Sequence, residues 1–396
     1  MIFSLNSLPA IYLDVIEKIE ALRNQAKYST SDNRRRWTGL LRSTFALSIQ
    51  GSNSIEGYNV TYEDAMNAVD GEEPLDAKEE AWLAVKGYRD ALTYVLQLAD
   101  DPHYAHNEGT LRGLHFMMLS HDIAKHPGRW RPGAVWVTRE ATGETVYEGP
   151  DISIVPGLMG ELIQSLNAKS KLPTIAMAAL AHLNLVMIHP FSDGNGRMGR
   201  ALQTLVLARQ GIIDPRFSSI EEMLARFTPQ YYQVLGEVGG GKWHPENDSL
   251  PFIRFCLVLH HQQGETLLSR IRQIDRVWNG IEEEGKRRKL NERTFYALGD
   301  AALGIRVTNS RYRKYTEVSD QVASKDLKIL TEHGLLVPKG EKRGRHYVAG
   351  DWLFNLRKQV SEKIVFTNPF EESESKQLVQ EFLPGLAPSS NPGGNT

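Results

Sequence analysis

Before about residue 275 the apolar side chains recur with helical spacing. Ile11, Val15, Ile16, Ile19 and Leu22 fall at i, i+4, i+5, i+8 and i+11, close to one face of a helix, and Leu158, Met159, Leu162, Ile163 and Leu166 repeat the pattern further on. One stretch departs from it. From Ala134 to Tyr147, Val135 and Val137 alternate with polar residues, Thr142 and Gly143 supply a turn, and Thr145, Val146 and Tyr147 return, which predicts a β-hairpin. Gly239 to Gly241 predicts a flexible loop, and an apolar helix follows from Phe252 to Leu259. The longest apolar run, Pro173 to Pro190, holds His182 and Asn184 and is short for a bilayer span.

Beyond residue 290 the pattern changes. Helices are predicted from Thr294 to Leu303 and near Asn309 to Tyr315. In a third, Ser319 is a good N-cap, Ala323, Leu327 and Leu330 form the apolar face, and Gln321, Ser324, Lys325 and Lys328 are free to face solvent. A strand starting at Gly334 to Val337, a basic turn from Lys339 to Gly344 and a returning His346-Tyr347-Val348 complete the module. From Lys286 to His346 there are 15 Lys and Arg against 7 Asp and Glu, a local charge of +8 in a chain whose net charge is −2. This order resembles a winged helix-turn-helix domain, with Ser319 to Glu332 as recognition helix and Lys342, Arg343 and Arg345 on the wing. Two uses stay open for it, contact with DNA and docking onto protein. From about Glu371 the chain is too poor in apolar residues to bury a core, and a mobile tail is expected.

Composition narrows the class. The 396 residues suggest about two to three domains, and 41% hydrophobic with 24% charged residues is ordinary for a globular protein. The single cysteine, Cys256, excludes an internal disulfide and a thiolate zinc cluster and fits a reducing compartment. The N-terminal stretch lacks a basic n-region and is interrupted by Asn6, Pro9 and Asp14, so it does not read as a signal peptide. A cytoplasmic protein without membrane segments is expected.

The chemistry concentrates in His189-Pro190-Phe191-Ser192-Asp193-Gly194-Asn195-Gly196-Arg197-Met198-Gly199-Arg200, between one apolar helix and the next, Ala201 to Ala208. Gly194, Asn195 and Gly196 allow consecutive N–H groups to converge on an anion at a helix start. Arg197 and Arg200, three apart, share a helix face and can both meet phosphate oxygens. Asp193 is a hard oxygen ligand of the kind Mg²⁺ takes beside substrate phosphates. His189 titrates near neutrality and can accept a hydroxyl proton. Together these groups read as phosphate-group transfer.

The segment is similar, at every specified position, to the Fic family signature His-Pro-Phe-x-(Asp/Glu)-Gly-Asn-Gly-Arg-x-x-Arg. That resemblance implies adenylylation, transfer of AMP from ATP to the hydroxyl of a protein Ser, Thr or Tyr. His189 would be the general base, Asp193 would hold Mg²⁺, Gly194, Asn195 and Gly196 would line the anion hole, Arg197 would meet the phosphates and Arg200 the terminal phosphate. Phe191 would anchor the loop in the core. The hairpin matches in position the family's flap, which lines the target groove, or is a structural hairpin. Tyr231 and Tyr232 resemble the tyrosine pair bordering the adenine, or belong to the core.

Upstream, Ser52-Asn53-Ser54-Ile55-Glu56-Gly57 resembles the family's inhibitory motif, Ser/Thr-x-x-x-Glu-(Gly/Asn). Ser52 and Glu56 would then be inhibitory, with Glu56 pairing with Arg200 in the space of the γ-phosphate. The implied fold is mainly α: an N-terminal helical region with the inhibitory helix (1–100), a Fic-type core with a hairpin flap (101–275), a winged helix-turn-helix domain (285–355) and the tail (371–396). The expected partner is a protein target, the chain itself included, with DNA through the C-terminal module and a homodimer both allowed. The alternatives are a DNA-binding regulator whose Fic body senses nucleotide, and a Fic enzyme that removes AMP or moves another phosphate group.

Overall fold

Helices form where the apolar spacing predicts them. In the computed structural model, which describes residues 1–31, 34–138, 143–211, 214, 217, 219–341, 344–371 and 379–381, the chain divides into two units. The first gathers Met1–Lys27, Phe45–Gly264 and the short segment from Asn368, and the second Tyr28–Thr44, Glu265–Thr367 and residues 379–381.

The first unit is built on most of α1 (Ala10–Thr30), the second half of α2 (Arg34–Ile55), α3 (Tyr62–Asp70), α4 (Glu79–Asp100), α5 (Glu108–Leu119), α6 (Val155–Asn167), α7 (Thr174–Ile188), α8 (Asn195–Ala208), α9 (Glu221–Arg226), α10 (Thr228–Gly239) and the start of α11 (Leu250–Arg287). Apolar on every side, α7 lies in the centre, buried at almost every position. It packs closely on α8 because Gly199 has no side chain: a Cβ there would stand 2.6 Å from His182 Cδ2. Asn184, the polar interruption of the apolar run, donates to the Phe3 carbonyl and accepts from the Phe3 N–H, both at 2.9 Å, and so fastens the N-terminal segment to α7.

Two expectations shift. On α1 the inward stripe is Tyr12, Val15, Ile16, Ile19, Arg23 and Ala26, while Ile11 is exposed. Ile11 stands one residue out of the i, i+3/i+4, i+7 row, and the large ring of Tyr12 takes the first buried place. The hairpin forms as β1 (Trp136–Thr138) and β2 (Thr145–Glu148), antiparallel with Val137 opposite Tyr147 and a register irregularity after Val137. Its Thr142 lies outside the described residues. The Tyr147 hydroxyl donates to the Met187 carbonyl at 2.8 Å, which fixes the hairpin beside the end of α7.

The second unit contains α12 (Phe295–Ala302), α13 (Asn309–Thr316), α14 (Asp320–Glu332), β3 (Leu336–Lys339), β4 (His346–Ala349) and α15 (Asp351–Val360). Ser319 caps α14 by accepting from the Val322 N–H. Buried Asp326 accepts two bonds from Arg293, at 2.7 and 2.9 Å, and one from the Tyr312 hydroxyl, tying α14 to α13. Strands β3 and β4 pair antiparallel, and Val307 bridges to Tyr347. Gln321, Ser324, Lys325, Lys328 and Arg345 are exposed. Lys342 and Arg343 lie outside the described residues, as does most of the tail, of which residues 379–381 (β6) pair with β5 (Lys363–Val365). Among the described residues no helix is long and apolar enough to cross a membrane.

Candidate active site

The loop between α7 and α8 is clamped from several sides. α7 ends at Ile188 and His189 takes a left-handed conformation, φ 51°, while Gly194 opens α8 at φ 76°. A Cβ on Gly194 would also press on Leu119 Cδ1 at 2.9 Å, so space and backbone angle both call for glycine there. Phe191 is fully buried and its ring stacks on His115 with centroids 3.7 Å apart. The Asn195 side chain turns back on the Phe191 backbone, accepting from its N–H at 3.0 Å and donating to its carbonyl at 2.9 Å. His115 accepts from the Gly128 N–H at Nδ1, so Nε2 carries the hydrogen and donates to the Asp193 carbonyl at 2.9 Å. Burial lowers its pKa to about 4, which keeps it neutral in that role. Buried Arg131 donates from Nε to the His189 carbonyl at 2.9 Å and from its backbone to the Pro190 carbonyl at 2.8 Å.

The chemical groups sit on this frame. His189 Nδ1 is 3.2 Å from the Val186 carbonyl, so it holds the hydrogen and leaves Nε2 as an acceptor. Burial, with Arg131 nearby, moves its pKa below the ordinary 6.5, so the ring is unprotonated at neutral pH. Burial opposes ionisation of Asp193, but a hydrogen bond from Lys125 and the charge of Arg197 outweigh it and bring the carboxyl below the usual range. Lys125 Nζ stands 2.8 Å from Asp193 Oδ2 and donates to the Tyr58 hydroxyl at 2.9 Å. The Tyr58 ring lies under the Arg197 guanidinium, 5.0 Å away. Arg197 is wholly buried, and among the described residues none of its three guanidinium nitrogens has a hydrogen-bond acceptor, although Nη2 stands 3.8 Å from Asp193 Oδ2. Arg200, equally buried, donates to Ser52 Oγ at 2.7 Å, to the Ser52 carbonyl at 2.9 Å and to Glu56 Oε1 at 2.6 Å. That Glu56 oxygen lies against the first turn of α8, where a Cβ on Gly196 would collide with it.

Tyr231 is 2% exposed and its hydroxyl is 3.0 Å from His182 Nε2, within a buried polar row that continues through Gln203 and His260 to Arg23. Tyr232 is 49% exposed and donates to the Ile55 carbonyl at 3.4 Å. The pair therefore splits: one ring belongs to the core and the other faces outward beside the end of α2.

The Fic/DOC family profile matches residues 106–207, which contain the whole loop. Residues 106–207 are thus similar to a Fic domain. The chain's sequence is 29% identical over 232 residues to the protein adenylyltransferase Fic of Nematostella vectensis, covering 54% of this chain and 47% of that protein. It is 36% identical over 148 residues to that of Drosophila virilis, covering 36% of this chain and 26% of that protein. The chain thus spans about half or less of the length of these curated relatives. Among solved structures, a Fic family protein from Desulfovibrio desulfuricans G20 superposes with a TM-score of 0.58 at 19% identity, covering 87% of this chain and 97% of that one. A Fic domain containing signaling protein from Bacteroides thetaiotaomicron VPI-5482 gives 0.54 at 24%, covering 65% and 97%. These two likenesses establish the mainly helical Fic fold.

Within residues 106–207 and beside them, sequence reasoning missed Tyr58, His115, Lys125 and Arg131. Each is a single residue with no motif of its own, brought to the loop by folding. The one signal within reach was Tyr58, which follows the Ser52 to Gly57 motif directly.

Proposed function

We propose that this chain is a protein adenylyltransferase that moves AMP from ATP to a protein hydroxyl and is restrained by Glu56. The observation that carries the reading is the buried cation pair at the start of α8: among the described residues Arg197 has no hydrogen-bond acceptor, and Arg200 is already covered by a carboxylate. Two desolvated guanidiniums beside the N–H groups of a helix start suit phosphate oxygens, and Glu56 takes the place of one of them.

In this reading the target hydroxyl gives its proton to His189 Nε2 as its oxygen bonds to the α-phosphorus. The bond from that phosphorus to the bridging oxygen breaks, and the electron pair leaves on pyrophosphate. The N–H groups of Gly194, Asn195 and Gly196 and the guanidinium of Arg197 hold the charge that spreads over the phosphate oxygens, the main catalytic contribution in such transfers. Arg200, once free of Glu56, holds the terminal phosphate. Among the described residues no group of three or more His, Cys, Asp and Glu side chains could hold a metal ion. The single ionised carboxylate of Asp193 suits Mg²⁺ bound jointly with substrate phosphates, where the ion neutralises phosphate charge. Lys125 keeps that carboxylate ionised and oriented. The exposed Trp136 on β1 offers an apolar contact for an extended target segment along the hairpin. Incorporation of label from α-labelled ATP into protein, lost in His189→Ala while ATP still binds, tests this reading.

A second reading concerns the second unit, which we propose is a winged helix-turn-helix that contacts duplex DNA. It is favoured by the exposed face of α14, where Gln321, Ser324, Lys325 and Lys328 stand together opposite the buried Ala323, Leu327 and Leu330. Full-length protein should bind duplex DNA with an affinity that falls steeply with salt, more weakly in Lys325→Ala. No binding at low salt would favour docking onto protein.

A further inference from the structure

Arg200 has partners other than Glu56, and they lead into the core. Its Nε donates to Ser52 Oγ at 2.7 Å. A serine oxygen that accepts from an arginine must place its own hydrogen elsewhere. The Ser52 hydroxyl hydrogen-bonds with Tyr88, and the Tyr88 hydroxyl donates to Glu221 Oε1. Ser219 donates to the other Glu221 oxygen at 2.6 Å, and Ser48 also hydrogen-bonds with this carboxylate. Ser52, Tyr88, Glu221 and Arg200 are each at most 1% exposed.

The direction of this row is fixed at both ends. A guanidinium only donates, which sets the direction at the Arg200 end, and at the other end Tyr88 donates to Glu221, whose carboxyl burial pushes above its ordinary range against the opposing hydroxyl bonds and the charge of Arg200. Among the described residues Glu221 touches hydroxyls and no cation, and the charge of Arg200 acts on it across two hydroxyl groups. Arg200 therefore answers to two carboxylates of different character. Glu56 stands at the end of α2, next to Gly57 at φ 81°, with a side chain 22% exposed. Glu221 is sealed in the core, where α2, α4 and α9 contribute Ser52, Tyr88 and Glu221. The bond from Nε to Ser52 does not involve Glu56, which takes Nη2.

We infer that Ser52, Tyr88 and Glu221 are positioning residues for Arg200, a buried hydroxyl relay that holds the guanidinium ready for the terminal phosphate of the nucleotide whether or not Glu56 is present. Ser52 then serves the working state as well as the restrained one. The inference rests on the proposal above that Arg200 meets the terminal phosphate of ATP.

The test uses the full chain carrying Glu56→Gly, with ATP and ADP affinities measured by calorimetry in Mg²⁺. Adding Tyr88→Phe or Ser52→Ala should weaken ATP binding about tenfold, because Ser52→Ala removes the acceptor of Arg200 Nε and Tyr88→Phe removes the partner that orients the Ser52 hydroxyl toward it, and should leave ADP binding unchanged. Glu221→Gln, which keeps an acceptor and loses the charge, should weaken ATP by about threefold. Loss of affinity for both nucleotides together would mean that these residues only pack the helices, and unchanged ATP affinity in both Tyr88→Phe and Ser52→Ala would mean that Arg200 needs no relay. Either result overturns the inference. If the Glu56→Gly parent itself binds ATP no better than ADP, the terminal-phosphate role of Arg200 fails first and the inference falls with it.

Discussion

Replacing Glu56 by glycine removes the carboxylate that stands 2.6 Å from Arg200 Nη2. The arginine side chain is fully buried and that of Glu56 is 22% exposed, so water screens the pair only in part. A charge-assisted bond in such a place is worth about 2–4 kcal/mol. If Arg200 meets the terminal phosphate, as proposed, that amount must first be given up, so removing Glu56 should raise AMP transfer by roughly 30- to 1,000-fold at fixed ATP. Helix α2 already ends at Ile55, so glycine at position 56 costs little in helix stability. Glu56→Gln keeps an acceptor without the charge and should rise less, by about tenfold. Adding Arg200→Ala should abolish the gain, since the released arginine is the group through which the change acts. Initial rates of labelled AMP incorporation at equal protein concentration compare wild type, both single Glu56 variants and the double variant. Equal rates for wild type and Glu56→Gly, or a gain that survives Arg200→Ala, would refute the pairing as the restraint.

Two further outcomes concern the frame of the site. Burial lowers His182 to about 3 and His115 and His106 to about 4, so below the unfolded value of 6.5 the unfolded chain takes up protons that the native one does not. Stability is then full above about pH 6.5 and falls by about 1.4 kcal/mol per pH unit for each such histidine as the pH drops toward the folded values; urea midpoints equal at pH 7 and pH 5 would contradict this. Gly194→Ala forces a side chain into φ 76° and against Leu119, and should cost about 1–3 kcal/mol in urea unfolding together with most of the transfer activity, whereas an unchanged midpoint would show that the loop can yield.

The parts of the site that lie close together in the chain were legible in the sequence. His189 to Arg200 is contiguous, and its glycines, arginines and carboxylate each answer a separate chemical need, so residue types and order were enough. Ser52 to Gly57 was legible only beside that loop, and the distance from Glu56 to Arg200 came from the fold. The rest depends on tertiary placement that no local pattern carries. Arg131 follows a tryptophan and precedes a proline, with nothing to mark its guanidinium as the clasp on His189. Lys125 sits on a short turn whose neighbours give no hint of Asp193. The sequence reads Asn195 as part of the anion hole, and nothing in it shows that the side chain is spent on the Phe191 backbone. Tyr231 and Tyr232 share a residue type and adjacent positions, and a turn of about 100° per residue sends one inward and the other out. In the second unit the apolar stripe of α14 and its Ser319 cap were readable because they obey helical spacing.

The claim that this site transfers AMP is tested most directly by comparing two labels on one nucleotide. Glu56→Gly protein incubated with Mg²⁺ and ATP labelled at the α-phosphate should become labelled itself or label a protein in lysate, while ATP labelled at the γ-phosphate should leave every protein unlabelled, because pyrophosphate departs. His189→Ala in the same background should abolish the α-label signal and still bind ATP. Labelling from the γ-phosphate, or α-labelling that persists without His189, would contradict the account.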